Sequence, residues 1–139
     1  MRVLFLCTGN SARSQIAEAI LRHLTNGRVD VVSAGSAPAA GVHPLTRATL
    51  KERFGIDASE LKPKSAASFA GQQFDAVITV CDAAAAACPT WPGAKTLIHW
   101  SIEDPAAVQG AEAQRRAFDA AARDLDVRIR SWLADNERG

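Results

Sequence analysis

The stretch from Val3 to Ser14, VLFLCTGNSARS, leaves this chain little choice about how it begins to fold. Four apolar residues, Val3 to Leu6, run into Cys7; a polar turn containing Gly9 follows, and Arg13 opens a segment with helical apolar spacing. A short apolar run bounded by turn residues reads as a buried strand. The unit is therefore strand–loop–helix, with Cys7 at the carboxyl end of the strand. The backbone N–H groups of Thr8, Gly9, Asn10, Ser11 and Ala12, with those opening the helix, can curl around one point as an anion nest. The helix N-terminus and Arg13 both favour negative charge there, so a cysteine beneath the nest is expected as a thiolate. The same charge pattern draws in a tetrahedral oxyanion, which brings nucleophile and electrophile together. Gly9 permits the turn, the Arg13 guanidinium can grip two anion oxygens at once, and Ser14 is placed to donate its hydroxyl to the thiolate. The blander reading of Cys7, a core cysteine at a strand end, needs neither the loop nor Arg13.

With 139 residues, one domain over 1–139 with a full core is expected. Lys plus Arg number 16 against 15 for Asp plus Glu, which provides no basic field for nucleic acid or a membrane surface. No apolar run reaches the length of a signal-peptide core or a membrane span. Three cysteines without such a signal point to a reducing cytoplasm and to thiol chemistry.

Further along, Ile16, Ala17, Ile20, Leu21 and Leu24 fall at helical spacing and Asn26-Gly27 stops the helix. Arg28 to Ser33 reads as a second strand, and Pro44 to Phe54 as a helix closed by Gly55. Gly55 to Lys64 is irregular and Ser65 to Ala70 a short helix. Phe74 to Val80 forms the third strand and runs into Cys81; the alanine-rich Asp82 to Cys88 is helical by propensity. Lys95 to Trp100 is a fourth strand, Ser101 to Gly110 a loop, and Phe118 to Leu133 mark a long terminal helix. Strands alternating with helices imply an α/β fold: a four-stranded parallel sheet flanked by helices on both faces. Right-handed crossovers give the order 2-1-3-4, and ligands in such sheets sit at the carboxyl ends where the order reverses. Cys7, Cys81 and Asp104 should therefore share one crevice.

The Cys-x5-Arg-Ser loop after an N-terminal strand resembles the low-molecular-weight protein tyrosine phosphatase superfamily. The arrangement Cys7, Cys81, Cys88 resembles one branch of it, the thioredoxin-coupled arsenate reductases, over nearly the whole chain. The likeness is carried by CTGNSARSQIAEA, VSAG at 32–35, GID at 55–57, ITVCDAAAAACP at 78–89 and HWSIEDPA at 99–106. It implies that Cys7 attacks arsenate while Asp104 protonates the departing oxygen. Cys81 then attacks Cys7 as arsenite leaves, and Cys88 moves the disulfide outward to Cys81–Cys88 for thioredoxin or a glutaredoxin to reduce. Phosphate and sulfate would compete as oxyanions, and no cofactor is implied. Cys81 and Cys88 on a regular helix would lie about 10 Å apart, beyond the roughly 4.4–6.8 Å of a disulfide, so Asp82 to Ala87 should unwind in each cycle.

Two departures stand out. Ala12 replaces an additional cysteine that many members carry before the loop arginine. A potassium site of some members is matched by Asn10, Glu18 and Ser33, but Lys64 stands where a carboxylate ligand would sit, so its ammonium is expected to take the ion's place. Other readings remain open at this point. A phosphatase needs only Cys7, Arg13 and Asp104. Three convergent thiols could instead trap As(III) in a binding module, or with His99 hold zinc, although no Cys-x2-Cys knuckle supports zinc. Asp104 before Pro105 could be only a turn-former. His43 and His99 read as structural, and the arginines of the terminal helix as a solvated face.

Overall fold

A computed structural model of the chain describes residues 1–81 and 91–136. In order these form β1 (Arg2–Cys7), α1 (Arg13–Thr25), β2 (Asp30–Gly35), α2 (Pro44–Phe54), β3 (Phe74–Thr79), β4 (Ala94–His99) and α3 (Ala111–Asn136). Short 3₁₀ turns cover Ala66–Phe69 and Pro105–Ala107. The sheet is parallel throughout with the order β2-β1-β3-β4, as the crossover rule predicts.

The boundaries differ from the pattern-based reading where tertiary pairing decides them. β2 starts at Asp30 rather than Arg28, because Arg28 N still donates to Thr25 O in the turn after α1 and pairing begins at Arg2↔Asp30. It continues past Ser33 to Gly35, which pairs with Cys7. The short helix expected over Ser65 to Ala70 is a 3₁₀ turn over Ala66–Phe69, with Ser65 Oγ accepting from Ala67 N. α3 starts seven residues before Phe118, after Gly110 at φ +93°, and its first turns carry paired charges instead of core residues.

β1 is apolar on both sides, as a central parallel strand must be. Val3, Phe5 and Cys7 face the cluster that includes Ile16, Ile20, Leu50, Phe118, Leu125 and Ile129 of the three helices. Leu4 and Leu6 face Ala34, Phe74 and Val77, covered by Ala66, Phe69 and Trp91. Each large side chain so buried contributes about 1.5–3 kcal/mol. The helix expected over Asp82 to Cys88, its unwinding, and Cys88 itself lie outside the described residues. Among the described residues no helix is long and apolar enough to cross a membrane.

Candidate active site

β1 delivers Cys7 to the carboxyl edge of the sheet, and the next five residues wrap over it before α1 begins. Every carbonyl from Cys7 to Ala12 is held. Ser36 N, Ala37 N and Ala39 N donate to Cys7 O, Thr8 O and Gly9 O at 3.2, 2.9 and 2.9 Å. Gln15 Nε2 donates to Asn10 O at 3.1 Å. His43 N and Thr46 Oγ1 donate to Ser11 O at 3.0 and 2.8 Å, and Ile16 N to Ala12 O at 2.9 Å. In a trans peptide the N–H opposes the preceding C=O, so holding the carbonyls from segment 36–46 and α1 turns the loop N–H groups to the concave side. Asn10 N accordingly donates to Cys7 Sγ at 3.2 Å. The backbone from Thr8 to Arg13 thus curls over the Cys7 sulfur, a curl of the kind that forms anion nests.

Asn10, buried and left-handed at φ +51°, sets the direction of the hydrogen bonds beneath the loop. Lys64 N can only donate, and it meets Asn10 Oδ1 at 2.8 Å. Asn10 Nδ2 therefore points the other way, donating to Ser14 Oγ at 2.7 Å and Ser33 Oγ at 2.9 Å. Ser14 thus has its own proton available for Cys7 Sγ, 2.7 Å away, the direction a thiolate requires. Ser33 likewise donates onward to Glu18 Oε1 at 2.8 Å.

Opposite the loop, Asp104 both caps the second 3₁₀ turn and faces the site. Its Oδ1 accepts from Ala106 N at 3.0 Å, while Oδ2 lies 3.9 Å from Arg13 Nη2. The turn-forming and site-facing readings of Asp104 thus coexist in one side chain. Ile102 ties this segment down from two directions. Arg13 Nη1 donates to Ile102 O at 2.9 Å, and Ile102 N donates to Cys81 O at 3.3 Å. Cys81 follows the β1–β3 ladder, in which Leu6 pairs with Thr79 and Val80 N donates to Leu6 O. It is a buried thiol in the same cluster as Cys7. Cys7 is in contact with Ser14, Arg13 with Asp104 and Ile102, and Cys81 with the same segment through its backbone carbonyl, while Cys88 lies outside the described residues.

Beside the loop, Lys64 Nζ sits 3.4 Å from Glu18 Oε1 and donates to Lys62 O at 3.1 Å. Arg22 Nη2 meets Glu18 Oε2 at 2.9 Å. Asn10 Oδ1 already accepts from both Lys64 N and Gln15 Nε2, which uses its two lone pairs. The oxygens a monovalent cation would need are engaged by fixed donors, so this set does not fit an ion. His43 Nδ1 accepts from Leu45 N as the cap of α2, and its ring stacks on Phe118 at 4.7 Å. His99 Nδ1 lies 2.7 Å from Thr79 Oγ1. Arg115, Arg116, Arg123 and Arg128 pair with acids three or four residues away along α3.

Pattern reading passed over Gln15 and Ile102. Gln15 follows Ser14 on a helix whose apolar stripe accounts for Ile16, Ala17 and Ile20; a signal was present in the polar run Arg13-Ser14-Gln15 at the start of a helix that is buried on most sides. Ile102 acts through its backbone, for which side-chain pattern carries no signal.

Fold and loop together define a class: parallel-sheet proteins that receive a tetrahedral oxyanion above a cysteine at the end of the first strand. The chain belongs to the low molecular weight phosphotyrosine protein phosphatase family, whose model matches residues 2–138. It is 39% identical over 131 residues to an arsenate reductase of Halalkalibacterium halodurans, covering 94% of this chain and 93% of that one. An arsenate reductase solved in its phosphate binding state superposes with a TM-score of 0.81 at 30% identity, covering 96% of this chain and 97% of that one. A thioredoxin-dependent arsenate reductase of Corynebacterium glutamicum gives a TM-score of 0.72 at 32% identity, covering 96% of this chain and 60% of that one.

Proposed function

We propose that this protein is an arsenate reductase of the cytoplasm, regenerated by thioredoxin. The observation that carries the reading is a second buried thiol, Cys81, whose backbone anchors the Asp104 segment beside Cys7. A phosphatase has no use for it. Arsenate would rest in the nest with two oxygens on Arg13, phosphate and sulfate competing for the same amides. The Cys7 thiolate attacks arsenic, forming an S–As bond, and the displaced oxygen leaves as water after taking the Asp104 proton. The Cys81 thiolate next attacks Cys7 Sγ. As the Cys7–Cys81 disulfide forms, the S–As pair passes to arsenic, so two thiols are oxidised while As(V) becomes As(III). Cys88 then attacks Cys81, freeing Cys7, and the Cys81–Cys88 disulfide takes two electrons from the dithiol of thioredoxin. The relatives' activities and the thioredoxin dependence of one of them support this sequence of steps.

Steady-state turnover with arsenate, NADPH, thioredoxin reductase and thioredoxin, run beside p-nitrophenyl phosphate, tests the reading. NADPH consumption that depends on arsenate is expected; hydrolysis of the ester without it would favour a phosphatase. Cys88→Ser should lose multi-turnover reduction and keep residual ester hydrolysis. A Cys88→Ser protein that turns over arsenate at the wild-type rate would contradict the three-thiol relay.

The Lys64 ammonium supplies the positive charge beside Glu18 that a bound cation would otherwise provide. Exchanging sodium for potassium at constant ionic strength should therefore leave rate and melting temperature unchanged. A gain specific to potassium in either would refute this role for Lys64.

A further inference from the structure

Gln15 is wholly buried on the first turn of α1, and only one end of its amide is used. Nε2 lies 3.1 Å from Asn10 O, 2.9 Å from Asn10 Oδ1 and 2.7 Å from Lys62 O. Oε1, equally buried, has no hydrogen-bond partner among the described residues. Three oxygen acceptors fix which end is nitrogen, because a flipped amide would set Oε1 against three lone-pair-bearing oxygens. A glutamine at this third helical position can reach back and accept the N-cap N–H. That use would engage Oε1, whereas the contacts of Gln15 run through Nε2. Gln15 therefore serves as a donor.

What it holds is the weak point of the nest. Carbonyls of Cys7, Thr8, Gly9, Ser11 and Ala12 each accept from a backbone N–H. Among the described residues, Asn10 O accepts from the Gln15 side chain alone. The N–H of Ser11 opposes that carbonyl across the same peptide plane. The contact to Oδ1 braces the side chain of the loop's left-handed residue, a conformation that non-glycine residues adopt at a cost.

We propose that Gln15 is a positioning residue for the bound oxyanion: its amide pins the Asn10 carbonyl outward and so aims the Ser11 N–H at an anion oxygen. The inference rests on the oxyanion-loop reading above and is tested without turnover. Reduced full-length protein and Gln15→Met, close in shape but without the amide, are titrated with inorganic phosphate and followed by amide NMR. In the wild type the Ser11 amide proton should move downfield on binding. In Gln15→Met that shift should largely vanish while Thr8 and Gly9 keep theirs, and phosphate should bind about tenfold more weakly, the loss of one charge-assisted hydrogen bond. With arsenate, KM should rise by a similar factor while kcat changes by less than about twofold. A folded Gln15→Met with the wild-type Ser11 shift and phosphate affinity would overturn the proposal. If that variant does not fold, Gln15→Asn, which withdraws the amide by one methylene, is read in the same way. Failure of both to fold would make Gln15 a folding residue and also overturn it. A wild-type protein that binds no phosphate would sink the loop reading and the inference together.

Discussion

Cys7→Ser should abolish arsenate reduction and ester hydrolysis alike, with kcat falling by about 10⁶-fold, the scale seen when a covalent nucleophile is removed. A serine hydroxyl under the nest lacks both the polarisability and the ionisation of a thiolate. Anion binding should survive. The nest depends on carbonyls of residues 7–12 held by segment 36–46, Gln15 and Ile16, and none of those contacts uses the sulfur. Phosphate titration of the folded variant separates the two effects. Loss of binding along with turnover would mean that the sulfur organises the loop, and persistence of reduction would place the nucleophile elsewhere.

Gly35→Ala should damage the same site without touching a reactive group. A Cβ at Gly35 would lie 2.5 Å from Thr8 O, 3.0 Å from Asn10 N and 3.1 Å from Asn10 Cβ. Two of these are backbone atoms and cannot swing aside. β2 cannot retreat either, since Gly35 pairs with Cys7 and its N–H donates to Lys64 O at 2.8 Å. Overpacking of this kind costs about 1–3 kcal/mol. Because the displaced atoms belong to the nest, phosphate affinity should fall at least tenfold as the melting temperature drops. A Gly35→Ala protein with wild-type melting and phosphate affinity would show that the loop yields freely.

Those two residues mark what could be read from the chain and what could not. Cys7 and Arg13 announced themselves, because an apolar run, a glycine-containing turn and a helical stripe are local signals. The sheet order followed from chain handedness, and Gly55 closed α2 as its left-handed φ of +66° requires. Gly35 was visible only as a strand end. Its close passage under Thr8 depends on β2 and the loop meeting in space. Asn10, Glu18 and Ser33 could be matched to a cation site, yet the hydrogen-bond direction that fills Asn10 Oδ1 begins at a backbone N–H fifty-four residues away. Such polarity has no trace in residue spacing.

Cys7 and Cys81 are each only 2% exposed. In the cycle proposed above, this burial would act as a size filter. An oxyanion of five heavy atoms held in the loop would meet the Cys7 sulfur directly, whereas the disulfide of a folded protein would be kept from bonding distance of either thiol by this burial. A bond between these two sulfurs would be similarly insulated from bulky reductants, and electrons could enter only through a sulfur brought out to the surface. Burial would then spare both sulfurs from mixed disulfides with other thiol proteins.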